Sequence, residues 1–168
     1  KGKKVITNDF MAISYFASKA LIENTSTIIS ESDLVLLLET TSKESFISDT
    51  FKDLYFTDEE NQFLDQIRAN IDLLENEFKK SLAISALTRA CMKKRPRGIF
   101  TFIGHRYDDG RKDIRKSLKD HFIDNIYNFN NAVFDNEKNC QANNEMSQEL
   151  EKTADLVYLD PPYYSPKS

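Results

Sequence analysis

The sequence predicts an open α/β sheet carried by a chain that is mostly α-helical. Three observations point there. Near the amino end a short run, Val5-Ile6-Thr7, gives way at Asn8-Asp9 to a helical stripe. Near the carboxyl end a second run, Leu156-Val157-Tyr158-Leu159, stops at Asp160, where two prolines follow. Between them, apolar side chains recur every three or four residues, the period of a helix, over 57–92 and again over 112–134. Open α/β sheets hold their ligands beyond the carboxyl ends of their strands. Asp9 and Asp160 are both acids expected at such an end.

Residues 3–7 read as the first short strand, closed by Asn8-Asp9. Phe10, Ile13, Phe16, Ala17, Ala20 and Leu21 then form the stripe of a helix over 10–23. Residues 30–40 suggest a short helix, with Ser30 as N-cap and Asp33 three residues on, a variant of the capping box. Residues 46–56 are irregular or briefly helical. Thr57-Asp58-Glu59-Glu60 opens the clearest helix, with acids in the first turn where the helix dipole favours them. Phe63, Ile67, Ile71, Leu74, Phe78 and Leu82 line its face, and the signal runs to about Met92, a length that suits two helices or one bent one. Pro96 and Gly98 stop it. A short strand is expected over 99–103, a loop over 104–111, and a second long helix over 112–134 with Ile114, Leu118, Phe122, Ile126, Phe129 and Val133 on one face. Residues 135–153 read as a polar loop that ends in a short helix before the final strand. Residues 156–159 read as a buried parallel strand.

The 168 residues, 40% hydrophobic and 30% charged, suit one globular unit. No apolar run is long enough for a membrane span, and no signal-peptide pattern is present. Lys1 rather than Met opens the chain, as expected of a processed protein or a piece of a longer one. Cys91 and Cys140 lack metal-ligand spacing and read as free thiols; no metal site is expected. The net charge of −4 conceals a division. Residues 93–119 hold ten basic side chains against three acids, a net of +7, and the remainder holds thirteen against twenty-four, a net of −11. A basic stretch on an acidic body can supply phosphate contacts; it can equally be a solvated helix face. Arg111, Lys112, Arg115, Lys116 and Lys119 lie in or just before the first turns of the predicted helix, where cations oppose the dipole, a cost that a nearby anion would offset. His105 reads as a surface loop residue and His121 as a structural helix residue.

Asp160-Pro161-Pro162-Tyr163 carries the most chemistry. Proline lacks the N–H that a central strand must donate, so the chain leaves the sheet at Asp160. Asp160 and the carbonyls held by the prolines are hydrogen-bond acceptors, and Tyr163 adds a flat aromatic face. Acceptors beside a stacking platform suit a planar ring with an exocyclic amine, the group displayed by adenine and cytosine. The same residues also read as a Pro-Pro turn capping a strand. Asp9 likewise has two readings, a helix cap or an acid for ribose hydroxyls.

Following Asp155-Leu156-Val157-Tyr158-Leu159, the Asp-Pro-Pro-Tyr motif resembles the catalytic motif of the amino-methyltransferases, which methylate adenine N6 or cytosine N4 with S-adenosylmethionine. The resemblance implies that Asp160 and the Pro161 carbonyl accept hydrogen bonds from the target amine. Pro162 is carried as part of the same motif, and Tyr163 is expected to stack on a base flipped out of the duplex. Val5-Ile6-Thr7-Asn8-Asp9 looks like the family's second motif, which implies Asp9 for the cofactor ribose. The order of motifs is similar to that of the alpha-type DNA adenine methylases, with target recognition between cofactor and catalytic motifs. Arg95-Pro96-Arg97-Gly98-Ile99-Phe100 and Arg106-Tyr107-Asp108-Asp109-Gly110-Arg111 resemble stretches of that family's restriction-modification members.

The resemblance implies a Rossmann-like class I methyltransferase fragment. Residues 1–24 would belong to the cofactor-binding core, 25–154 to a helical insert with the target-recognition region, and 155–168 to the catalytic strand and loop. Double-stranded DNA is the implied partner, with a cognate restriction endonuclease as a second and the cytoplasm as the setting. Arg95, Arg97, Arg106, Arg111 and Arg115 are expected to contact DNA, since arginine forks match both phosphates and guanine edges. The family's glycine-rich motif is expected just before Lys1, its strand lying between those at 4–7 and 156–159. The chain alone is therefore expected to be largely helical, with little sheet, and to bind cofactor weakly or not at all. An acid for the cofactor's adenine amino group is expected within 139–147, where Asn143, Asn144 and Glu145 stand. The rival readings are cytosine-N4 methylation, which shares the motif, and a non-catalytic helical DNA-binding or interaction domain.

Overall fold

In the computed structural model, which describes residues 2–95, 110–150 and 153–160, the chain opens with β1 (Ile6–Asn8) and turns at once into helix. Asp9 Oδ1 accepts Met11 N–H at 2.8 Å just before α1 (Ala12–Ser18), which continues into a π-helical turn, Lys19–Glu23. Then come α2 (Glu31–Glu39), α3 (Phe46–Thr50), α4 (Asp58–Ile71), α5 (Glu77–Lys94), α6 (Lys112–Arg115), α7 (Leu118–Ala132) and β2 (Gln141–Asn143). As expected, the described chain is largely helical with little sheet.

The core lies between the long helices. Leu64, Ile67 and Ile71 of α4, Leu82, Ala83, Ala86 and Ala90 of α5, and Leu118, Phe122 and Ile126 of α7 are all buried. The small residues of α5 let α7 approach closely, and α7 packs along α5 as its main partner. Phe63 meets Phe122 edge to face, with ring centroids 6.1 Å apart, the arrangement favoured by ring quadrupoles. Both predicted capping boxes form: Ser30 with Asp33 at α2, and Thr57 with Glu60 at α4. The long helical signal divides at 72–76, where Asn76 Oδ1 accepts Phe78 N–H and Lys79 N–H to start α5.

Buried polar side chains satisfy backbone groups that the helices leave open. Asn70 Nδ2 donates to Leu37 O at 2.9 Å and Thr40 O at 2.8 Å, closing the end of α2. Asp65 accepts Ile47 N–H and Ser48 N–H at 2.8 and 2.9 Å, opening α3. Asn130 both accepts from Ile29 N–H and donates to Ile29 O, which pins the chain before α2 to α7.

Three sequence expectations are corrected. The helix over 112–134 is two: the chain is extended at Lys116, and Ser117 caps α7 by accepting Asp120 N–H at 3.0 Å. The polar stretch over 135–153 contains a strand, β2, parallel to β1 with Ile6 opposite Gln141 and Asn8 opposite Asn143. Parallel strands require a long crossover, here everything from α1 to α7. Residues 156–159, expected as a buried strand, pair with neither strand of the two-stranded sheet, and their four residues are 87, 64, 86 and 77% exposed. A strand needs a neighbour to satisfy its ladder, and among the described residues neither β1 nor β2 lies alongside this run. The predicted strand at 99–103 lies outside the described residues. No helix among the described residues is long and apolar enough to cross a membrane.

Candidate functional site

The carboxyl ends of β1 and β2 are laced together. Asp9 N–H donates to Asn143 O at 3.3 Å, and Asn143 Nδ2 donates to Thr7 O at 3.1 Å. Asn8 and Glu145 exchange bonds, Nδ2 to Glu145 O and Glu145 N–H to Asn8 Oδ1, each 3.1 Å. Asn144 Nδ2 donates to Asp9 O at 2.7 Å and Phe10 O at 3.0 Å. These bonds fix the backbones of Asp9 and Glu145 against each other at one edge of the sheet.

The side chains there divide by use. Asn143 and Asn144 spend their amides on the backbone, which suits a scaffold. Asp9 spends Oδ1 on Met11 N–H and keeps its second carboxylate oxygen at the edge. The Glu145 residue is exposed while its backbone is fixed. Of the three candidates in 139–147, Glu145 is thus the one acid, and it stands beside Asp9. The sequence already offers Glu145 as the one acid in that stretch; its place beside the end of β1 depends on the register of two strands 135 residues apart. Two carboxylates offer acceptors for hydroxyl and amine donors, the donor set of a nucleoside. A shallow cavity of about 500 Å³ flanks β2, lined by residues that include Glu23, Phe78 and Lys138. Its lining reaches Asn143 at the laced end of β2 but holds none of Asp9, Glu145 and Asp160.

Asp160 is exposed and lies at the end of the unpaired run. Asp9 and Glu145 thus follow the ends of adjacent strands, while Asp160 is not set into their sheet. Pro161, Pro162 and Tyr163 lie outside the described residues, as do Arg97 and Arg106.

The basic segment separates into outward and inward members. Arg111, Lys112, Arg115 and Lys119 are exposed. Gly110 precedes them with φ of +83°, a left-handed conformation that glycine adopts without strain. Lys116 pairs with Asp124. Arg95, expected on the DNA face, is only 8% exposed, and its Nη1 donates to Tyr55 O at 2.8 Å. Its place just after α5 turns the guanidinium toward the α3–α4 connection, so it is a packing residue in this fold. His121 is buried in α7, as a structural residue. Both cysteines are free and buried.

Comparison with known proteins adds the family. The family described as D12 class N6 adenine-specific DNA methyltransferase matches residues 1–168. The chain is 35% identical over 178 residues to the Type II methyltransferase M2.HphI of Haemophilus parahaemolyticus, an alignment that takes in 97% of this chain and 53% of that protein. The chain thus spans about half the length of the curated relative it matches. No solved structure matches. The family match over residues 1–168, together with the 35% identity to this relative, leads to one conclusion: the chain belongs to the D12 class of N6 adenine-specific DNA methyltransferases.

Proposed function

We propose that the protein methylates the exocyclic N6 of adenine in double-stranded DNA, in the cytoplasm, as the modification arm of a restriction system with a cognate endonuclease. S-adenosylmethionine supplies the methyl group when bound. The observation that carries this reading is the pair of acids at the carboxyl ends of adjacent parallel strands, where open α/β sheets take their ligands. Asp9, with one carboxylate oxygen uncommitted to its helix, binds the ribose hydroxyls. Glu145 accepts from the adenine amino group of the same cofactor. Asp160, with Pro161 and Pro162 stiffening its turn, accepts hydrogen bonds from the target amine and so aims the nitrogen lone pair; Tyr163 stacks on the flipped base. Arg111 and Arg115, with Arg97 and Arg106, bind the DNA backbone.

The test is transfer of a labelled methyl group from S-adenosylmethionine to duplex DNA by the intact protein, followed by mass analysis of the nucleosides. The expected product is N6-methyladenine. Asp160→Ala should lower the rate at least about 100-fold, the scale of losing one preorganised hydrogen-bonding group at the reacting atom. Methyl groups found on cytosine N4, or an unaltered rate in Asp160→Ala, would overturn the assignment.

A further inference from the structure

Lys94 belongs by sequence to the run of cations from Lys93 to Lys119, yet its charge is used inside the fold. It is the last residue of α5, and its side chain is 11% exposed. Its Nζ lies 2.8 Å from Ile114 O, 2.8 Å from Lys116 O and 3.2 Å from Glu60 Oε1. An ammonium has three N–H donors, and these three acceptors match them in number. Glu60 is itself held, since its Oε2 accepts Thr57 N–H at 3.0 Å. One side chain therefore joins the start of α4, the end of α5 and the α6 turn.

A second tie comes from α7. His121 Nε2 lies 2.6 Å from Asp113 O. A carbonyl only accepts, so Nε2 carries the proton. The carbonyls of Asp113, Ile114 and Lys116 are thus all engaged by the helical body, while Arg111, Lys112 and Arg115 are exposed. Helix α6 has only four residues. So short a helix does not hold its shape unaided, because nucleation fixes several residues for one hydrogen bond. The shape of this basic turn therefore comes from Lys94, Glu60 and His121.

We propose that Lys94 is a positioning residue for DNA binding. Resting on the DNA-methylation reading above, the inference is that Lys94 makes no phosphate contact and instead fixes α6 so that Arg111, Lys112 and Arg115 engage the phosphate backbone together. Glu60, an acid, supports DNA binding by the same route.

The experiment is a salt titration of duplex-DNA affinity with the intact protein. Each neutralised phosphate contributes about 0.9 to the slope of log K against log salt. Lys94→Met should lower the slope by roughly two contacts or more, although one charge is removed. In an Arg111→Gln, Lys112→Gln, Arg115→Gln background it should add no further loss. Glu60→Gln gives a test of sign. Direct electrostatics predicts tighter DNA binding when an acid is removed; positioning predicts weaker binding. A slope lowered by one contact or none in Lys94→Met, or binding unchanged or tightened in Glu60→Gln, would overturn the proposal. If Lys94→Met loses its helical circular dichroism, Glu60→Gln decides alone. A wild-type protein that binds no DNA removes the parent reading and this inference with it, whereas normal wild-type binding with unaltered variants removes the inference only.

Discussion

Replacing Asp9 by asparagine separates two tasks that one carboxylate performs. Its Oδ1 accepts Met11 N–H at 2.8 Å, which orders the entry to α1. Asparagine retains that acceptor and puts a neutral amide nitrogen where the second oxygen faces the sheet edge. A hydrogen bond to a charged group contributes about 1.5–3 kcal/mol, and 1.4 kcal/mol is a factor of ten in binding. Since one oxygen is already committed, the loss is that of one charge-assisted bond, so cofactor affinity should fall about 10- to 100-fold. Folding stability should move by less than about 0.5 kcal/mol, as for a substitution that keeps its local bonds. Asp9→Ala should lose the same affinity and, with the turn bond to Met11 N–H gone, a further ~0.5–1.5 kcal/mol of stability. The assay is calorimetric titration of the intact protein with S-adenosylmethionine, paired with urea unfolding. If Asp9→Asn bound within twofold of wild type, Asp9 would be only a turn residue before α1 and the ribose assignment would fall.

Other outcomes follow from the packing and the charges. Phe122→Ala removes a fully buried ring from the α5–α7 contact and its edge-on partner Phe63; it should cost about 3–5 kcal/mol in urea unfolding, and a loss under ~1 kcal/mol would contradict the core described here. Burial, with the charge of Glu60 adding to it, pushes the Cys91 thiol up to about 12. A thiolate-selective alkylating reagent at mildly alkaline pH should spare Cys91 in the folded protein and modify it in urea; rapid native labelling mapped to Cys91 would refute this. Burial acts to raise the Asp33 carboxyl, but the Lys79 ammonium 2.7 Å away and the Ser30 hydroxyl and N–H outweigh it and hold the group below its ordinary value. A carboxyl depressed in the folded state adds stability above its unfolded pKa and loses it as pH falls through the folded one. Lys79→Met should therefore unfold at a higher pH than wild type in an acid titration, the difference in stability closing at the acid end.

Much of the helical architecture was legible because its determinants are local. Ser30 with Asp33 and Thr57 with Glu60 announce their helices within four residues, and the apolar period from Phe63 to Leu82 survives the break at Asn76 because both helices bury the same side. The α6–α7 break carried the same kind of signal, Ser117 with Asp120, but the unbroken stripe from Ile114 through Phe122 masked it. Strand β2 had no local signature: Gln-Ala-Asn is a poor strand by composition, and it forms because β1 lies alongside, with Cys140 Sγ accepting Val5 N–H and Glu23 accepting Ala142 N–H. Residues 156–159 show the converse, a strong local pattern without a neighbour to complete it. At the site, Asp9 and the basic turn could be read from sequence. The placement of Glu145 beside the end of β1 could not, because it depends on pairing between strands 135 residues apart, and neither could the inward turn of Arg95, which depends on where α5 ends.

The uncovered run at Leu156, Val157, Tyr158 and Leu159 also bears on how the chain behaves in the tube. Four exposed apolar residues, with Val157 and Tyr158 of high β propensity, make a template for intermolecular pairing. Self-association of the isolated chain should thus be governed by these few rim residues, while the helical core decides only whether it unfolds. A lysine at Tyr158 would act as a gatekeeper, raising solubility while leaving the melting temperature where it was.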